Sequence, residues 1–114
     1  MDTRDGAVHI SDGAIICAGS VITTDVTIGR FVHVNLDCTI GHDTVIDDYC
    51  TLSPGAHVSG NVHFHSGVYA GTGATFIEHV DVASGSIIGA GAVVRESIRE
   101  AGTYVGVPAR RVQR

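Results

Sequence analysis

The chain has 114 residues, 7 Lys and Arg against 12 Asp and Glu, a formal charge of −5 and 44% hydrophobic residues. That length predicts one small domain, the acidic balance argues against a nucleic-acid-binding face, and no run of about 18 apolar residues offers a membrane span. Three cysteines, Cys17, Cys38 and Cys50, form no Cys-x-x-Cys pair, so neither a disulfide framework nor a zinc ribbon is expected and no metal site is assigned.

Residues 1–7 are polar and are expected to be a frayed segment or a cap. They contain no apolar stretch of the kind a secretory leader needs, so a cytoplasmic location is the default expectation.

From residue 8 to residue 98 the sequence repeats. Every sixth residue from Ile10, through Ile16, Ile22, Ile28, Val34 and onward to Val94, is apolar, fifteen in succession without an insertion. The residue two places before each of these is never larger than Val: Val8, Ala14 and Ser20 begin the series, and Ser86 and Ala92 end it. Two inward positions per hexad, two residues apart, match the side-chain alternation of a strand. A period of six fits neither a helix nor simple alternation. It fits short extended segments joined by sharp bends, with Gly29, Gly41, Asp47, Gly71 and Gly89 where the chain must turn. Three segments would close a triangular coil of about eighteen residues, and coils would stack by parallel pairing about 4.8 Å apart. The expected fold is therefore all-β, a parallel β-helix of about five triangular coils with no long loop leaving it.

After Val94 the frame breaks at Arg95-Glu96-Ser97. Residues 99–114 are expected to be a tail covering the exposed sheet edges at that end.

The hexads Ile28-Gly29-Arg30-Phe31-Val32, Ile40-Gly41-His42-Asp43-Thr44 and Ile88-Gly89-Ala90-Gly91-Ala92 resemble the motif of the hexapeptide-repeat family, over nearly the whole chain. The resemblance implies a left-handed β-helix. Handedness comes from the family alone, since parallel crossovers are otherwise almost always right-handed.

All seven histidines fall at outward positions of the frame. For each, a solvated surface side chain is the ordinary reading. His42 stands apart, because Asp43 follows it in a position to orient an imidazole. The coil period also stacks His42 over Gly60, where a side chain is absent and a backbone N–H is reachable. Cys38 and Cys50 are expected to point inward and to be poor nucleophiles.

The resemblance narrows on further segments: Asn35 with Thr39–Asp43, Ser53-Pro54-Gly55-Ala56, Ser59-Gly60-Asn61-Val62, Gly71-Thr72-Gly73-Ala74, and the closing Gly106-Val107-Pro108-Ala109. Together they look like the C-terminal domain of the sialic acid O-acetyltransferase and nucleotide-amino-sugar N-acetyltransferase family. That resemblance implies acetyl-CoA as co-substrate, a sugar amine or hydroxyl as acceptor, and a homotrimer with sites between subunits. His42 would be the general base and Asp43 its support. Gly60, Thr72, Ala90 and Gly91 would lie along acetyl-CoA, Pro108 and Ala109 near its adenine end, and Asn35 and Thr51 on the substrate side. From residue type alone, Arg95, Arg110 and Arg111 are either contacts for its phosphates or solvated terminal charges. The chain departs from the family at Thr51, where a second histidine is usual, and residues 1–114 hold no N-terminal nucleotide-sugar domain.

Two other classes compete. One is a non-catalytic trimeric scaffold. The other is a metal enzyme like the γ-class carbonic anhydrases, which share the fold. Their histidine spacing, started at His42, reaches Glu78-His79 and finds no further histidine.

Overall fold

The computed structural model describes residues 6–112 and has strand but no helix. No helix among them is long and apolar enough to cross a membrane. The chain winds as a left-handed parallel β-helix of about five turns. Its strands stack into three faces. Face 1 holds Val8–Ile10, Val26–Ile28, Val45–Ile46, His63–Phe64 and Asp81–Val82. Face 2 runs through Ile15–Ile16, His33–Val34, Thr51–Leu52, Tyr69–Ala70 and Ile87–Ile88, then Thr103–Val105 and Arg110–Arg111. Face 3 holds Val21–Ile22, Thr39–Ile40, His57–Val58, Thr75–Phe76 and Val93–Val94. Register is constant through these coils: Val8 pairs with Val26, His33 with Thr51 and Thr75 with Val93, each an offset of 18 residues.

The two inward rows make the core. From Val26 to Val94 both are buried throughout, with Phe64 and Phe76 the largest fully buried side chains and their rings 4.7 Å apart. The rest of this interior is narrow, filled by Val, Ile, Ala and Cys. Where the small row carries a hydroxyl, Thr44 donates to the Ser59 carbonyl at 3.2 Å, which satisfies a buried polar group. The first coil is different. Ile10 is 50% exposed, and Ile16 and Ile22 are only partly covered, because no coil among the described residues lies on the other side of them.

The corners correct one expectation. Every sixth residue from Gly13 to Gly91 has a left-handed backbone, with φ between 55° and 78°. This row is two residues beyond Gly29, Gly41, Asp47, Gly71 and Gly89, none of which has positive φ. Gly, Asp and Asn fill most of the left-handed row, as sterics favour, but Phe31, Tyr49 and His79 also occupy it. The glycines expected to make the bend are needed for another reason. A Cβ on Gly41 would sit 2.6 Å from the Ser59 carbonyl carbon and 2.7 Å from the Gly60 nitrogen. One on Gly71 would sit 2.7 Å from both the Ala90 nitrogen and the Ile88 oxygen. They allow one coil to approach the next.

Beyond Val94 the period shortens. Ile98 bridges Val82 and Thr103 pairs with Ile87, both offsets of 16 rather than 18. Thr103–Val105 thus extends face 2 into a sixth, partial coil, and Arg110–Arg111 turns back antiparallel on it. Arg111 forms an ion pair with Glu100 and also donates to the Ala101 carbonyl at 3.1 Å. The expected N-terminal cap lies mostly outside the described residues, as do the last two residues of the tail.

Candidate active site

The corner that carries His42 is pinned from inside and from both neighbouring coils. Ile40 and Thr44 are buried on either side of it. The Asp43 N–H donates to the Thr24 carbonyl at 3.1 Å, and the His42 carbonyl accepts from the Asn61 N–H at 2.8 Å. With the backbone held, the His42 side chain projects from the edge between faces 3 and 1 and is 54% exposed. The left-handed backbone of Asp43, φ 58°, turns its carboxylate back toward the ring. Asp43 Oδ2 lies 2.9 Å from His42 Nδ1. A carboxylate only accepts, so it selects the tautomer with hydrogen on Nδ1 and leaves the Nε2 lone pair available.

The ring rests on Gly60, one coil on. A Cβ at Gly60 would lie 2.5 Å from His42 Nε2 and 2.7 Å from Cε1. His42, Asp43 and Gly60 are therefore brought together.

The remaining expected residues lie elsewhere. Thr72, Ala90 and Gly91 stack on the edge between faces 2 and 3, with the Gly91 N–H donating to the Thr72 carbonyl at 2.8 Å. Asn35 is on that same edge, two coils earlier, and its side chain accepts from the Leu36 N–H at 2.8 Å. Thr51 points outward from face 2, between His33 and Tyr69, on the face opposite the His42 edge. Pro108 and Ala109 sit at the C-terminal end, where the Ala109 N–H donates to the Val93 carbonyl at 2.8 Å. Within one chain, face 3 separates His42 from the Thr72 edge. Of the three arginines, Arg111 is already paired with Glu100, whereas Arg95 and Arg110 are exposed.

The cysteines offer no nucleophile on this edge. Cys38 and Cys50 are buried, and burial pushes the Cys50 thiol up to about 11 and raises that of Cys38.

No family model matches the chain. GDP-perosamine N-acetyltransferase of Escherichia coli O157:H7 is 41% identical over 71 residues, which is 62% of this chain and 32% of that protein. The structure of WeeI from Acinetobacter baumannii AYE superposes with a TM-score of 0.90 at 38% identity, over 93% of this chain and 52% of that one. This chain's homologues are sugar N-acetyltransferases of the hexapeptide-repeat acyltransferase family. The acetyltransferase domain of PglB from Neisseria gonorrhoeae FA1090, in complex with acetyl coenzyme A, is alike at 35% identity and a TM-score of 0.72, over 92% of this chain and 54% of that one. The chain spans about a third of the curated relative and about half of each solved chain.

One cluster on this β-helix was not anticipated. Asp47, His63 and His65 bring three donor atoms within 4.8 Å of one another. The signal was available, because residue 65 is one 18-residue coil beyond residue 47, the same rule that stacks Gly60 on His42. His42 belongs to no such three-donor group among the described residues.

Proposed function

We propose that this β-helix carries out acetyl transfer from acetyl-CoA to an amino or hydroxyl group of a sugar, with His42 as general base. The observation that carries the reading is the His42 imidazole, held through Nδ1 by Asp43 with Nε2 poised over Gly60. His42 Nε2 takes the proton from the acceptor nitrogen or oxygen as that atom attacks the thioester carbonyl carbon. A backbone N–H beside Gly60 donates to the oxygen that becomes negative. The tetrahedral intermediate expels the coenzyme A thiolate, which takes its proton from the His42 imidazolium. No covalent enzyme intermediate is formed.

The same geometry supports a homotrimer. His42 with Gly60, and Thr72 with Ala90 and Gly91, lie on two different edges of one prism. A second copy that sets its Thr72 edge beside the first copy's His42 edge completes the site, and three copies close the ring as a homotrimer. The acceptor class is supported by a relative named for N-acetylation of GDP-perosamine.

The test is turnover. Purified chain is incubated with acetyl-CoA and either a nucleotide-linked amino sugar or a sialic-acid-type hydroxyl acceptor, and free coenzyme A thiol is followed. Acceptor-dependent release supports the proposal. Failure to bind acetyl-CoA leaves the scaffold reading in its place.

Gly60→Ala gives a sharper test of the ring position. Gly60 has no positive φ, and the three nearest atoms its new methyl would meet, all within 3 Å, belong to the exposed His42 imidazole. The fold is expected to keep its melting temperature while the displaced base lowers kcat about a hundredfold. An unchanged kcat would show that the ring's seat on Gly60 is irrelevant to the reaction.

A further inference from the structure

The edge between faces 1 and 2 carries chemistry that acetyl transfer does not use. Phe31 and Tyr49 stack along it with centroids 5.8 Å apart, and Arg30 pairs with Asp48 at 2.9 Å. The hydrogen bond to Arg30 holds the Asp48 carboxyl below its ordinary value, but Arg30 is exposed and Asp48 only partly covered, so solvent screens the pair. Next to it, three side chains converge. Asp47 leaves the corner of the third coil. His65 leaves the same corner one coil on, and His63 points outward from the adjoining strand of face 1, in register with Val45 and Asp81.

We propose that Asp47, His63 and His65 bind a divalent transition-metal ion of the imidazole-preferring class, with Zn2+ as the reference. Both imidazoles address one carboxylate oxygen: His63 Nε2 lies 3.0 Å and His65 Nδ1 3.8 Å from Asp47 Oδ2. A tetrahedral ion with bonds of about 2.0–2.1 Å places neighbouring donors about 3.3 Å apart, and the observed separations bracket that value. The rings are stacked, with centroids 4.0 Å apart and planes at 24°. Two imidazoles and a carboxylate form a donor set suited to Zn2+, Co2+ or Ni2+ rather than to Mg2+ or Ca2+. Each side chain is between 36% and 40% exposed, so an ion can reach them. The remaining coordination positions fall to water or to a group entering the hollow of about 340 Å3 that His65 lines with Asp81, Ser84 and Arg99.

This site is separate from His42 and takes no part in the proposed acetyl transfer, so the two stand or fall independently. The experiment uses the full chain without an affinity tag, stripped with a chelator and titrated with Zn2+ by calorimetry. Co2+ absorption in the visible range provides a second readout. One ion per chain is expected, with affinity lowered about a hundredfold or more in His63→Ala and in His65→Ala. Asp47→Asn, which keeps the shape of the corner, should weaken binding as well. His57→Ala, whose ring instead meets the Thr39 hydroxyl at 2.8 Å, should leave it unchanged. Circular dichroism on each variant confirms the β-helix. Absence of stoichiometric binding in the parent chain overturns the proposal, and so does binding that survives intact in His63→Ala and His65→Ala.

Discussion

His42→Ala is expected to lower acetyl-CoA-dependent release of coenzyme A by about 10²–10⁴-fold, the range spanned by a positioned general base. The proposed homotrimer should stay intact, because the corner is held by backbone hydrogen bonds that Ala preserves. Thiol release measured beside sedimentation velocity separates the two effects. Asp43→Asn then isolates the orienting carboxylate. Asn accepts the left-handed backbone that Asp43 adopts, so the corner survives while the preference for hydrogen on Nδ1 is lost. Its rate should fall as well, by less than that of His42→Ala. Full turnover in His42→Ala would remove His42 from the mechanism.

Phe64→Ala is expected to destabilise the chain by about 3–5 kcal/mol, the usual result of removing a fully buried aromatic ring. The interior around it is filled by small side chains on a regular lattice of coils, and these have little freedom to collapse into the gap. The ring also packs against Phe76 at 4.7 Å, so part of that partner's contact is lost. Ile10→Ala should cost far less, because Ile10 is already 50% exposed at the uncovered end of the stack. Urea unfolding midpoints for the two variants measure the contrast. Equal losses would mean that the coils do not share stability through their neighbours in the way a stacked repeat should.

Much of this fold could be read from residue order because its period is short and the chain never departs from it. The inward rows, one large and one small, follow from Ile10 to Val94 by counting sixes. The pairing of His42 with Gly60 follows by counting eighteen. The bend was harder. Gly29, Gly41, Gly71 and Gly89 look like turn residues, and glycine serves both a left-handed backbone and a close approach of chains. Composition alone does not separate these two uses. The left-handed row includes Phe31, Tyr49 and His79, which hide it from any search for glycine. The shortening of the last coil to 16 residues was also not legible, since Ile98 and Thr103 are found only through their partners Val82 and Ile87. The Asp47–His63–His65 cluster is only half legible by counting eighteen, which links Asp47 to His65, because His63 comes from the adjoining strand of face 1.

The constancy of register has a geometric meaning of its own. Because one hexad is one side of the triangle, adding six residues after Gly60 would rotate everything downstream by a third of a turn. Thr72 would leave its edge, and the proposed pairing of that edge with His42 of a neighbouring copy would be lost. Adding eighteen residues would instead translate the same groups along the axis by one step of about 4.8 Å, with every side chain still facing as before. Sequence length in this molecule therefore acts as both angle and ruler. Insertions are told apart by their remainder on division by eighteen, rather than by how large they are.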